Sequence, residues 1–143
     1  MKLNLKNVTL ICVDGDPNHD LIINSIFNSV SKKIDFHDQI HIKNIKSLYD
    51  YNEYVHKHLH NDIKSDYVLI AQWDGYPLKP TRWDDKWFEY DYIGAVWHNH
   101  HHFKNKVGNG GFCLRTKEFA KEMSKRSYDP NEPEDVHFCV KEP

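Results

Sequence analysis

The sequence predicts an α/β fold: one domain, residues 1–143, with a mostly parallel central sheet flanked by helices. Three observations lead there. Val8-Thr9-Leu10-Ile11-Cys12-Val13 and Tyr67-Val68-Leu69-Ile70-Ala71 are β-prone runs bounded by turn residues, as strands buried on both faces are. Beside them, apolar residues recur at helical spacing. The pieces fall in the order strand, helix, strand, helix, strand, which is the pattern of a parallel sheet with right-handed crossovers.

Taken in order, the first strand ends at Asp14-Gly15-Asp16-Pro17, a run of breakers. Asp16 can cap the next helix with Pro17 at its first position, where the missing N–H costs nothing. Ile22, Ile23, Ile26, Phe27 and Val30 predict one packed face over residues 18–31. Ile34, Phe36, Ile40 and Ile42 suggest a second strand interrupted at Asp38, and Leu48, Tyr51, Val55, Leu59 and Ile63 mark a second helix. The third strand ends in Trp73-Asp74-Gly75. Beyond it, Tyr76-Pro77-Leu78-Lys79-Pro80 is irregular and residues 83–87 form a short aromatic-acidic segment. Tyr92-Ile93-Gly94-Ala95-Val96-Trp97 reads as a strand, followed by a histidine-rich loop over residues 98–102. Val107-Gly108-Asn109-Gly110-Gly111 reads as a glycine turn opening onto a short strand, Phe112-Cys113-Leu114-Arg115. Thr116 caps a helix carrying Phe119, Ala120 and Met123. Pro133 then starts a helical turn with Glu134 and Asp135 in its first turn.

Composition narrows the function. The chain is 28% charged and 39% hydrophobic, which suits a soluble globular domain. A net charge of −2 gives no field favouring nucleic acid or anionic lipid, and no basic stripe accompanies Lys32-Lys33 or residues 121–126. Cys12, Cys113 and Cys139 lack C-x-x-C spacing and read as small buried hydrophobes of a reducing compartment. The N-terminus has no apolar leader, and no run approaches membrane-spanning length. A cytoplasmic location is expected.

No G-x-x-x-x-G-K-[ST] is present, and Asp14-Gly15-Asp16 puts carboxylates where a dinucleotide-binding turn needs glycines. No G-x-S-x-G elbow exists. What remains is a trio: Asp74 after the third strand, the Gly108-Asn109-Gly110-Gly111 turn, and Glu134-Asp135. Each opens or closes a predicted element, so the three can converge on one rim of the sheet. The C-terminal end of a strand is where open α/β sheets hold ligands. Taken alone, Asp74-Gly75 reads as a turn before it reads as a site.

Four segments, Asp-Tyr-Val-Leu-Ile-Ala-Gln-Trp-Asp from Asp66, Tyr-Asp-Tyr-Ile-Gly-Ala-Val-Trp from Tyr90, Gly-Asn-Gly-Gly-Phe-Cys-Leu-Arg from Gly108 and Glu-Asp-Val-His-Phe from Glu134, together resemble a GT-A-type glycosyltransferase. The match is closest to the small glycosyltransferase-like domains of the DUF5672 type. The resemblance is specific from about Asp66 to Phe138, and over residues 1–65 rests on strand-helix order alone. It implies a GT-A (Rossmann-like) domain, C-terminally short, whose acceptor site is open or completed by a second subunit. It implies a D-x-D motif binding a divalent metal on a nucleotide-sugar diphosphate; here the position reads Gln72-Trp73-Asp74, which keeps the last Asp. It also implies an x-E-D motif whose acid deprotonates the acceptor.

On that resemblance the expected activity is an inverting, metal-dependent hexosyl transfer from a UDP-sugar to an acceptor hydroxyl of a saccharide or other molecule. Asp135 would be the general base, set in the first turn of a helix where the dipole favours its charged form. Glu134 would orient the acceptor or hold the loop. Asp74 would anchor Mn2+ (or Mg2+) as a Lewis acid on the leaving diphosphate, with His137 as the second ligand and His98 or His100 as the next choices. Val13 and Asp14 would meet the nucleotide base. Gly110 and Gly111 would lay a sugar on bare backbone and permit positive φ. Arg115 would contact diphosphate or serve as an ion-pair partner, and Trp73 and the other tryptophans would stack on sugar or simply pack. The rival readings are a nucleotidyltransferase, which wants a glycine- and lysine-rich loop missing here, and a non-catalytic nucleotide- or sugar-binding module.

Overall fold

A computed structural model describes residues 1–97 and 107–141. Strand β1, Leu3–Val13, starts five residues before its apolar run because Leu3, Asn4 and Leu5 pair in parallel with Ile34, Asp35 and Phe36. Asp16 caps a 3₁₀ turn, Pro17–His19, its carboxylate accepting from the Asn18 N–H at 2.9 Å. The turn leads into α1, Asp20–Ser31, which buries Ile23, Ile26 and Val30; Ile22, expected on the same face, is exposed. Strand β2, Ile34–Ile42, runs through Asp38, and the register with β1 shifts between Leu5 and Thr9.

The second helix starts as α2, Leu48–Glu53, widens to a π-helical stretch over Tyr54–His58 and ends as α3, Leu59–Asp62. Ser47 caps it, accepting from the Asp50 N–H while Asp50 accepts from the Lys46 N–H, a reciprocal cap of the capping-box kind. Strand β3 is Tyr67–Ala71. Two 3₁₀ turns, Pro80–Arg82 and Asp85–Glu89, precede β4, Tyr92–Val96. Strand β5, Val107–Thr116, feeds α4, Lys117–Ser124, through the expected Thr116 cap on the Phe119 N–H. The short α5, Glu134–Val136, continues as a π-helical turn over His137–Lys141.

The sheet order is β2-β1-β3-β5-β4. β1 pairs in parallel with β2 and β3, while β5 is antiparallel to both β3 and β4. The sheet is therefore mixed rather than mostly parallel, since two of its four pairings are antiparallel. The cause is the return after β4: β5 comes back beside it and inserts between β4 and β3. Both faces are buried. Leu10, Leu69, Ala71 and Leu114 face α1 and the segment 76–90, and Ile11, Val13, Val68, Ile70 and Cys113 face α2, α3 and α4, so the near-continuous apolar runs are explained.

Residues 107–111 form part of β5 rather than a turn. Against β4, the register passes from Gly94↔Cys113 to Ala95↔Asn109, so Gly110, Gly111 and Phe112 bulge out unpaired on that side. Bulges re-aim backbone beside functional sites. Positive φ falls on Gly108, at 140°, among the described glycines, and not on Gly110 or Gly111. All three cysteines are free, and burial pushes the thiols up, Cys12 to about 12 and Cys139 to about 11. No helix among the described residues is long and apolar enough to cross a membrane. The predicted histidine-rich loop lies outside the described residues, as do the alternative ligands His98 and His100.

The π-helical stretch of the second helix holds His56, buried against Tyr128 (4.2 Å between ring centroids) and Phe138, its Nε2 3.2 Å from the Arg126 carbonyl oxygen. Burial pulls His56 down to about 4, against the upward pull of that carbonyl. The unfolded chain titrates near 6.5 and takes up its proton first as pH falls. The stabilisation is thus complete above pH 6.5 and is lost as pH drops toward 4. Urea unfolding is expected to show a loss on the order of 3 kcal/mol across that window. His56→Phe should remove this part of the slope; an unchanged slope would assign it elsewhere.

Candidate active site

The chain leaves β1 toward β2 on one side and returns through α2 and α3 to β3 on the other. The C-terminal ends of β1 and β3 therefore flank a topological switch point, where open α/β sheets bind ligands. A cleft of about 350 Å³ lies there, walled by Val13, Asp14, Gly15 and Asp16 on one side, residues 45–48 and Tyr51 on the other, and Gln72 at the end of β3. Its size is within the ordinary range for small-molecule sites.

Local chemistry fixes these walls. The Asp14 N–H donates to the Ile42 carbonyl at 3.0 Å, and its carboxylate accepts from the Asp16 N–H at 2.9 Å and pairs with His19 Nδ1 at 2.8 Å. His41 Nε2 lies 2.8 Å from the Asp14 carbonyl oxygen. At Gly15 the approach is too close for any side chain: a Cβ would sit 1.7 Å from the Ile45 carbonyl oxygen. That contact locks the 13–16 turn to the opposite wall. On the other side the Ser47 cap sets the start of α2.

Gln72 and Gly75 exchange backbone hydrogen bonds of 2.8 and 3.1 Å, so Trp73 and Asp74 are the two corner residues of a tight turn. The Trp73 indole, 42% exposed, stacks on His19 with centroids 4.9 Å apart. Asp74 is exposed, with no side-chain partner among the described residues. The Gln72 side chain lies on Gly111, where a Cβ would come within 2.7 Å of its Oε1. Next to it, the Gly110 N–H donates to Asp135 Oδ2 at 2.8 Å, and Asp135 Oδ1 accepts from the Val136 N–H. The chain Gln72, Gly111, Gly110, Asp135 therefore joins the cleft to the candidate base. The two glycines permit close approach, where a turn with positive φ was expected.

Glu134 also lies against Gly110, where a Cβ would come within 2.5 Å of its Oε1. It is 2% exposed and accepts from Arg115, 1% exposed, at 2.7 Å. Arg115 also donates to Cys113 Sγ and lies over the Tyr92 ring at 4.9 Å. Of its two expected roles Arg115 thus has the ion-pair one, and Glu134 holds the loop. His137 and Asp74 occupy unlike surroundings. His137 is buried, with Nδ1 3.2 Å from Glu132 and its ring edge-on to His56, Tyr128 and Phe138. That ring packs within its own aromatic cluster, whereas Asp74 stands exposed at the corner of its turn. Among the described residues no group of three or more His, Cys, Asp or Glu is placed to hold a metal ion. Trp83 and Trp87 pack edge to face, and Trp97 is buried.

A profile of the family described as "Protein of unknown function (DUF5672)" matches residues 33–143, well over half of the chain. The chain belongs to the DUF5672 family. Neither a curated protein nor a solved structure matches it. The DUF5672 match includes the 45–48 wall, Gln72, the Gly110-Gly111 bulge and Asp135, while β1 and the 13–16 wall precede it. It thus begins well before the Asp66–Phe138 span over which the sequence resemblance was specific.

Two site residues carried no role in the sequence reading. Tyr51 was taken as part of a packed helical face. It lines the cleft, and its buried hydroxyl, like Glu134 Oε2, has no hydrogen-bond partner among the described residues. Gln72 was read as a missing carboxylate, whereas its side chain is the contact between the cleft and the bulge. The spacing Ser47-x-x-Asp50 was the available signal for the second wall.

Proposed function

We propose that this protein is a nucleotide-sugar-dependent glycosyltransferase that moves a hexosyl group from a UDP-sugar to an acceptor hydroxyl with inversion. The observation that carries the reading is the switch-point cleft tied through Gln72 and Gly111 to the Asp135 carboxylate. A donor site and a base for the acceptor thus share one rim. The four motifs that resemble GT-A enzymes fall on that rim or directly behind it, which supports the GT-A reading of the fold.

In this reading the nucleoside sits between the 13–16 and 45–51 walls. The diphosphate lies toward the Trp73-Asp74 corner. The acceptor lies over the Gly110-Gly111 bulge, where Asp135 takes the hydroxyl proton as the acceptor oxygen bonds to the anomeric carbon. The bond from that carbon to the diphosphate oxygen breaks on the far side, and UDP leaves with the electron pair. Asp74, an exposed carboxylate with no partner among the described residues, suits a hard divalent cation that takes its remaining ligands from phosphate and water. When bound, Mn2+ or Mg2+ would neutralise charge on the leaving diphosphate.

Calorimetric titration with UDP in the presence and absence of Mn2+ tests the site. Asp74→Asn is expected to weaken the Mn2+-dependent part of UDP binding by about tenfold or more, equivalent to the loss of one charged ligand. An unchanged titration would remove Asp74 as a ligand. Tight UDP binding with no hydrolysis or transfer from any UDP-sugar would favour the binding-module reading.

A further inference from the structure

A cavity larger than the cleft lies away from it, on the α1-facing side of the sheet. It has a volume of about 460 Å³ between the ends of β3, β4 and β5 and the irregular segment after Gly75. Its walls include Leu69, Ile93, Leu114, Trp83, Leu78 and Phe112, side chains that offer a ligand almost nothing polar. Interiors pack close to crystal density, so an apolar space of this size against a sheet reads as a binding volume. Leu78 is 62% exposed, and Trp87 and Phe112 are also open to solvent. A ligand therefore has a way in.

Among the described residues, Lys79 and Arg82 are the charged members of the lining. They begin and end one 3₁₀ turn, with the Arg82 N–H donating to the Lys79 carbonyl, and residues three apart in such a turn eclipse on one side. Both are exposed, and neither side chain has an ion pair or hydrogen bond among the described residues. The nearby Asp85 carboxylate accepts from the Trp83 indole instead. Asp84 and Asp85 put carboxylates in the same segment but outside the described lining, so the charged side chains that border the apolar wall are the two cations.

We propose that this cavity takes the chain of a monomeric, single-chain anionic amphiphile whose head group pairs with Lys79 and Arg82. The site goes beyond the transfer reading, and it borders on it. Phe112 belongs to the same bulge as Gly110 and Gly111, and its Cβ is 3.5 Å from where a Gly75 side chain would begin. The Gln72–Gly75 turn thus borders both, with Gln72 lining the polar cleft and Gly75 lying against Phe112 of the apolar cavity. If transfer occurs, a molecule held here is a candidate acceptor, and that extension rests on the reading above.

Calorimetry with hexyl, octyl and decyl phosphate, each below its micellar concentration, tests the site without any donor. Affinity should rise about fourfold per methylene. Octyl phosphate should bind at least about tenfold more tightly than octyl glucoside, as expected for a charge-assisted head-group contact. The Lys79→Ala/Arg82→Ala double variant should abolish that preference and keep the chain-length dependence. Leu78→Glu at the mouth, or Ala95→Trp within the lining, should weaken octyl phosphate by about tenfold or more, with circular dichroism unchanged. Affinity independent of chain length, or unaltered in both lining variants, overturns the site. Equal binding of octyl glucoside overturns the anionic head. Binding only to phosphatidylglycerol vesicles, with no monomer uptake, would make this a membrane contact and overturn the proposal. UDP titrations on the same samples separate this failure from failure of the donor site.

Discussion

Asp135→Asn is expected to lower glycosyl transfer by about 10²–10⁴-fold, the usual contribution of a positioned base, while UDP binding stays within about threefold. The asymmetry comes from geometry. Asp135 touches the acceptor side of the rim through the Gly110 N–H, whereas the cleft walls are made by residues 13–16, 45–48, Tyr51 and Gln72. Asparagine keeps one acceptor oxygen, which can still serve the Gly110 N–H at the cost of the local Val136 contact, so the bulge should keep its shape. What it loses is the ability to take a proton. A variant that transfers at the native rate would remove Asp135 as base, and one that loses UDP binding as well would point to collapse of the bulge. Circular dichroism and a UDP titration on the same sample separate these results from the expected one.

The fold was legible where burial dictates composition. Residues 8–13 and 67–71 read as central strands because both of their faces are covered, by α1 on one side and α2 to α4 on the other. Thr116 and Asp16 were readable as caps because side-chain oxygens there meet N–H groups a few residues on. The insertion of β5 between β3 and β4 was not readable, since strand order is set by long-range pairing that no local pattern encodes. The same limit explains the glycines. Gly110 and Gly111 looked like a turn, yet they lie on a strand where Gln72, Glu134 and Asp135 press against them from remote parts of the chain.

The site was legible at its C-terminal rim and less so at its walls. Asp74 and Asp135 stand at element ends, where a motif shows in one dimension. Tyr51 falls in register with the apolar face of its helix, so periodicity hid the fact that its edge reaches the cleft. Arg115 shows the converse limit. A strand-end arginine and a diphosphate-binding arginine look alike in sequence, and only its burial beside Glu134 assigns it to the fold.

That ion pair leads to the second large expected effect. Glu134→Leu should destabilise the protein by about 3–5 kcal/mol, the range for breaking a buried pair, against a total of about 5–15 kcal/mol for an ordinary domain. With Glu134 gone, the variant's own stability should carry no pH dependence from this pair. Arginine cannot shed its proton, so Arg115 would remain a buried cation without its carboxylate. Arg115→Met should behave differently. Burial already pushes the Glu134 carboxyl up in the native protein, against the downward pull of Arg115. Without Arg115 it rises further, and the carboxyl can neutralise itself. A raised carboxyl favours the folded state at low pH and loses that advantage as pH climbs through the folded value. Arg115→Met should therefore be costly at neutral pH and recover as pH is lowered, measured by urea unfolding from pH 7.5 to 5. The Arg115→Met/Glu134→Leu double variant removes both charges and should be more stable than Glu134→Leu alone, with a coupling of about 2–3 kcal/mol in the cycle. Purely additive costs would mean that the two side chains stabilise the protein independently. Because Glu134 adjoins Asp135 and presses on Gly110, the same pair also sets where the candidate base stands. Glu134→Leu should accordingly lose transfer at temperatures where it is still folded.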